Sequence, residues 1–346
     1  MDFTFLSRAF CFLSTKTVEA MNQVMNRYAV DEALISGEKQ RLDSTVYEAN
    51  IHYPTDSSLL WDSFRTLARL LRCVQKELPE LELGHRFHEK KIKKLYTFIG
   101  RNISSKSKAT QRKVSQHYRI LIQRVQWIHS IGLTVLPLVD AAGYVVPDLS
   151  HYLPLVDRIV DQADKRVLQG IQVAADKKLY SLFESHTELL KRGKAGKPIE
   201  FGHMVLLAQT GEKFIHHYEV MAKRRADKDL LQPALDAHNA LFGQYPNVLA
   251  ADKGFYESME HIRALEEKIS VVSIGKKGRR NAEECRREKT EEFREGQRFR
   301  AGVEGSISVL KRAYDLDRCL FKGFKNYAAS VGLAVLCHNL ILLTRL

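Results

Sequence analysis

No two cysteines are spaced as a metal or redox pair. The five, Cys11, Cys73, Cys285, Cys319 and Cys337, contain no CxxC and are odd in number. That argues against a zinc site or a disulfide framework and fits free thiols in a reducing cytosol. Long apolar runs are also missing. The most apolar stretch, AASVGLAVLCHNLILLTRL at 328–346, includes Cys337, His338 and Asn339 and is short for spanning, so it reads as a buried helix. The opening MDFTFLSRAFCFL is apolar but short, with no clear cleavage site, so neither export nor a membrane is expected. There is no internal repeat and no low-complexity segment. Ser181, Glu184 and His186 form no recognisable nucleophile motif. His85 and His88 are spaced like ligands on a helix but lack Cys or His partners nearby, and His216 and His217 would point to opposite faces of a strand.

Acids are nearly absent from one region. Between Arg86 and Arg124 stand twelve Lys and Arg and a single acid, Glu89. Between Lys276 and Lys325 stand fifteen bases and nine acids. The whole chain has 54 bases, 41 acids and a formal charge of +13 over 346 residues, so these two segments carry the entire excess. Such a distribution points to a polyanionic partner, and the acid-poor first segment favours DNA.

Residues 1–38 read as short helices, with Val18, Met21, Val24 and Met25 at helical spacing. RLDSTVYEANIHY (41–53) is rich in β-branched residues and reads as a strand, ended by Pro54, with Asp56 or Ser57 as a helix cap. From 59 to 191 the apolar spacing is helical, with a break near 104–107 and prolines at 147 and 154. The turn RGKAGKP (192–198) closes that block. Strands are then expected at 201–207 and 214–220, joined by QTGE, and at 248–252 and 269–274. Helices fall at 230–242 and 259–267, and a charged helix-forming stretch follows the strand at 269–274. The order suggests an α/β sheet interrupted by one helical insertion. The segments are then a short helical N-terminal part (1–38), the first part of a sheet domain (39–58), the insertion (59–191) and the remainder of the sheet domain (192–346).

Three acids stand out by context. Asp43 lies within a predicted strand, Asp252 ends the strand VLAAD, and Glu304 lies early in a helix. Carboxylates at the ends of strands in an α/β sheet usually mark a site. Three of them brought together could hold divalent cations against a phosphodiester. Periodicity alone cannot select them from the other acids: each also reads as a strand-edge polar residue, a turn former or a surface charge.

The surrounding sequence selects them. RLDSTVYEANIHYPTDSSLLWD (41–62), LFESHTELLKRGKAGKPIEFGHMVLL (182–207), NVLAADKGFY (247–256) and RFRAGVEGSISVLKRAYDLDRCLFKG (298–323) resemble, in order, four blocks of DDE-type insertion-sequence transposases of the ISNCY-type group. The resemblance implies a ribonuclease-H-like mixed sheet interrupted by a large all-helical insertion. It also implies a triad of Asp43, Asp252 and Glu304 holding Mg2+ or Mn2+, two ions in all. The implied activity is metal-dependent cleavage and strand transfer at the ends of an insertion sequence. DNA would be the partner, with a homo-oligomer on DNA compatible, in the cytoplasm beside the bacterial nucleoid. Related transposases carry Tyr, two residues, Arg, three residues, Glu, six residues, Lys. Arg300, Glu304 and Lys311 match, and Gln297 replaces the Tyr. Arg300 and Lys311 would hold the DNA backbone, with Arg312, Arg318, Lys322, Lys325 and, in the first basic segment, Lys90, Lys91, Lys93 and Lys94 adding phosphate contacts. Relatives carry a longer N-terminal region with a helix-turn-helix, for which 1–38 is too short. Two rival expectations follow: a truncated copy that binds DNA without cutting it, and a nuclease of the same fold without strand transfer.

Overall fold

The structure, a computed structural model, describes residues 3–81, 86–143, 146–194 and 197–345. The chain divides into two compact units, one formed by residues 1–50 and 190–346 and the other by 51–189. His85 and the tip of the RGKAGKP turn at 195–196 lie outside the described residues.

The first unit is built on a mixed seven-stranded sheet. Its strands are β1 (Lys39–Ala49), β2 (Glu188–Lys194), β3 (Lys197–Thr210), β4 (Ile215–Val220), β5 (Val248–Ala251), β6 (Val271–Ile274) and β7 (Arg318–Cys319). The main order is β2-β3-β1-β5-β6, with β4 on β3 and β7 on β1. β1 runs antiparallel to β3 and parallel to β5, and β5 is parallel to β6. β1 is central because both of its faces are apolar. Leu42 and Val46 pack with α7 (Leu231–Phe242) and α8 (Met259–Glu266) in one core. Tyr47 packs on the other face with α10 (Glu291–Ala313) and α11 (Phe324–Leu343). Parallel strands covered on both faces are the usual consequence of crossover helices.

α11 has the length and composition of a membrane span, yet half of that window is buried. Its polar groups are used inside the fold. Asn339 accepts from Ile215 N–H at 3.0 Å and donates to Ile215 C=O at 2.8 Å, and the Tyr327 hydroxyl bonds to Tyr47 C=O and His203 N–H. At the N-terminus, α1 (Phe3–Phe12) precedes α2 (Thr15–Asp31). The packed face of α2 is Val18, Asn22, Met25, Asn26 and Ala29, while Met21 and Val24 are exposed. The apolar spacing therefore selects only two of these five buried positions, and Asn22 and Asn26 are buried through hydrogen bonds to the Gly332 and His216 carbonyls.

The second unit holds α3 (Asp56–Glu77), α4 (Glu89–Asn102), α5 (Lys108–Ala141) and α6 (Pro147–Ala163). They share a core that includes Leu60, Phe64, Leu67, Leu71, Ile99, Leu121 and Ile128, with Trp61 and Trp127 packed against it. Three details differ from the sequence reading. Thr55, not Asp56 or Ser57, caps α3 in a reciprocal capping box with Ser58, and Asp56 instead takes a bidentate pair from Arg166. A further break separates α3 from α4, ahead of the one near 104–107. The helical run stops at the π-helical turn Asp164–Leu168, and β2 begins at Glu188, inside the stretch expected to be helical. Apolar spacing through 169–187 reflects burial of Leu179 and Leu182 from irregular backbone.

The β1–β3 seam is tightest at Gly202, which faces Glu48. A Cβ there would lie 2.0 Å from Tyr47 O and 2.8 Å from Glu48 Cα, against backbone that has no rotamer to change. Gly202→Ala is expected to destabilise the protein by about 3 kcal/mol, the upper end for overpacking. Urea denaturation checks this, and an unchanged midpoint would mean that the strands separate freely here.

Candidate active site

Sheet register decides where the acids stand. Leu42 of β1 and Ala251 of β5 are Cα partners in the parallel pairing. Asp43 and Asp252 each follow by one residue, so two aspartates separated by most of the sequence occupy equivalent positions on neighbouring strands. Asp43 is within the strand and largely buried, with Oδ1 accepting from Ser44 N–H at 2.7 Å. Asp252 is exposed, where β5 gives way to a short 3-10 turn.

Glu304 arrives on α10, which packs against β1, β5 and β6. One face of α10 presents Gln297, Arg300, Glu304 and Lys311. Arg300 Nη1 lies 3.7 Å from Asp43 Oδ2 and its Nη2 lies 3.6 Å from Glu304 Oε1. Arg300 thus links two of the three acids, while the Glu304 side chain remains 68% exposed. Gln297 Nε2 donates to Ser273 O at 2.6 Å and reaches Ala251 O at 3.5 Å. At the position where related transposases have Tyr, this chain therefore has an amide that fastens α10 to the ends of β5 and β6, one residue before Asp252. Lys311 Nζ donates to Val46 O at 3.0 Å and lies 3.7 Å from Asp317. Thr45, Glu304, Lys311 and Arg312 help line an open groove of about 480 Å³ along this face.

Two contributors were not selected from sequence. Arg41 lies two residues before Asp43, hence on the same face of β1. It is buried, donates to Gln209 Oε1 and Phe299 O, and has no carboxylate partner among the described residues. Burial pulls its guanidinium down to about 10. A cation inside a strand pattern was the available signal. Asp227 is the second: Ser44 Oγ donates to it at 3.3 Å, and the backbone at Gly254 runs against its carboxylate.

The remaining candidates are more dispersed. Arg312 folds back on Ser308, Arg318 lies 3.5 Å from the buried Glu48 carboxylate, and Lys322 and Lys325 are exposed. Lys90, Lys91, Lys93 and Lys94 belong to the other unit. All four are exposed on α4, and Lys90, Lys93 and Lys94 line a groove of about 600 Å³ there. His216 and His217 are consecutive in β4, so their rings leave the strand on opposite faces.

The donor set Asp43, Asp252 and Glu304 is all hard oxygen, the type that divalent Mg2+ or Mn2+ prefers. As folded, it does not make a cage: among the described residues no three His, Cys, Asp or Glu are grouped to hold a metal ion. Arg300 provides the positive charge between Asp43 and Glu304 instead.

Carboxylates at equivalent positions along neighbouring parallel strands, with a third on a covering helix, define a class: an α/β protein with an acidic centre beside a basic face. Residues 171–340 match the family model of the transposase DDE domain. The match covers just under half of the chain, and those residues are what is similar to that domain. It includes Asp252 and Glu304 and leaves Asp43 outside. No curated protein and no solved structure matches the chain.

Proposed function

We propose that the chain is a DDE transposase of the ISNCY-type group, with a ribonuclease-H-like core, the helix-bearing unit of residues 51–189 as its insertion, and Asp43, Asp252 and Glu304 as the reacting centre. The shared register of Asp43 and Asp252 carries this reading, with Glu304 tied to Asp43 through Arg300. Two Mg2+ or Mn2+ ions bound there would neutralise the phosphodiester and help to activate its attacker. For the carboxylates to close on cations, Arg300 must leave them, and a DNA phosphate offers its guanidinium a bidentate partner. Arg300 and Lys311 then hold the backbone beside the acids. Arg312, Arg318, Lys322 and Lys325 extend that contact, Lys90, Lys91, Lys93 and Lys94 on α4 of the other unit offer phosphate contacts of their own, and such contacts position DNA without reading its sequence. Assembly as a homo-oligomer on DNA is compatible with this reading. The ungrouped carboxylates favour one alternative, a copy that binds DNA and cuts nothing.

The test is an incubation with Mg2+, linear DNA carrying the element ends, and a supercoiled target. Cleaved ends bearing free 3′-hydroxyls and joined products are expected, and a chelator should remove both. Cutting without joining would make the protein a nuclease of the same fold. Binding with neither would make it an inactive copy.

A further inference from the structure

We propose that the loop KKGRR (276–280) is a preformed clamp for the phosphates of the DNA strand that lies against Asp252. The inference rests on the reading of the chain as a protein that acts on DNA, and extends it to residues outside the triad and its helix. Ile274 of β6 is the Cα partner of Ala251, so the loop leaves the sheet where Asp252 leaves β5.

Both ends of the loop are pinned. Lys276 N–H donates to Glu288 Oε1 at 2.9 Å, and Arg280 Nε lies 3.0 Å from Glu288 Oε2. Lys276 Nζ donates to Glu284 at 2.8 and 3.0 Å, and Asn281 N–H donates to the same carboxylate at 2.7 Å. The Tyr256 hydroxyl donates to Glu284 as well, at 2.7 Å. Tyr256 belongs to ADKGFY, the segment that carries Asp252. A single buried carboxylate therefore fastens the base of the loop to the turn that follows Asp252.

The pinning uses up the acids. Glu284 and Glu288 neutralise Lys276 and Arg280, the two cations at the base. Lys277 and Arg279 remain at the tip, exposed, with no ion pair or hydrogen bond among the described residues. Gly278 between them has φ +87°, a left-handed conformation that tightens the turn, and the space beside it is open. Two free cations on a short, braced turn suit successive phosphates of one strand, and bracing lowers the entropy lost on binding. Solvated surface charge would need no such brace.

The experiment compares wild type with K277Q/R279Q on duplex DNA over a salt series. A charge-matched control, K16Q/R27Q, removes two exposed cations from α2. Two lost phosphate contacts should flatten the slope of log affinity against log salt by about 1.8, and weaken binding on the order of tenfold or more at 0.1 M salt. The control should change neither to that extent. An unchanged slope in K277Q/R279Q, or an equal effect from the control, overturns the clamp while wild type still binds. Wild type that does not bind DNA at all overturns the underlying reading as well.

Discussion

Asp252→Asn is expected to lower metal-dependent DNA cleavage on the order of 10³-fold or more, with the fold unchanged. The two halves of that expectation have separate causes. Catalysis suffers because an amide cannot replace a carboxylate charge toward divalent cations, and such electrostatic terms are worth several kcal/mol, or about three powers of ten in rate. The fold is spared because the Asp252 side chain is exposed and makes no hydrogen bond among the described residues. Only its carbonyl is used, accepting from Phe255 N–H at 3.0 Å. Asp252 is therefore the cleanest probe of the triad. Asp43→Asn would also disturb the Ser44 N–H bond and the Arg300 contact. Asp31→Asn, exposed at the end of α2 in the same unit, supplies the control. Cleavage at the wild-type rate by Asp252→Asn, with an unchanged melting curve, would place the chemistry elsewhere in the molecule.

The strands that hold the two aspartates were legible, one from its β-branched residues and the other as a short apolar run ended by Asp252. Their adjacency was not, because parallel pairing between 39–42 and 248–251 is a long-range event that leaves no periodic trace in either segment. The helix carrying Glu304 could be read from sequence, but not the contact of Arg300 with both acids, which depends on how α10 crosses the sheet. The end of the helical block was misread for a related reason. Apolar residues at 179 and 182 keep helical spacing, while the backbone there is irregular and β2 owes its existence to its partner β3. Charge counting found the basic segment 276–325 but pooled its residues. It could not separate Lys277 and Arg279, which are free, from Lys276 and Arg280, which the neighbouring acids neutralise.

Acid should destabilise the sheet-bearing unit before its carboxylates titrate. Four imidazoles there, His216, His217, His238 and His338, are held below their ordinary range chiefly by burial. His238 Nδ1 faces Gln244 O at 3.1 Å, and burial holds the ring below its ordinary range against the Gln244 and Gly37 backbone, which favours the charged form. His216 Nε2 faces the Gln40 side-chain amide N at 3.3 Å, so it accepts, and a second ring proton would have nowhere to go. The two rings lie 5.3 Å apart, so charging either opposes charging the other. In the unfolded chain each ring titrates near 6.5. Above that pH both states are neutral and the groups contribute no pH dependence. Below it the unfolded chain binds protons that the folded chain refuses, so stability falls as pH falls, by up to about 1.4 kcal/mol per pH unit for each ring that stays neutral. His216, held well below its ordinary range, sustains this loss furthest, and the other three add to it only down to their own lowered values. Urea midpoints measured from pH 7.5 to 5 should therefore hold steady and then drop from just under 6.5. His338→Gln keeps a donor toward Lys213 O, which His338 Nε2 meets at 3.2 Å, and should make the fall shallower by up to about 1.4 kcal/mol per pH unit. A midpoint that stays level down to pH 5 would mean that these rings take up protons in the folded state after all.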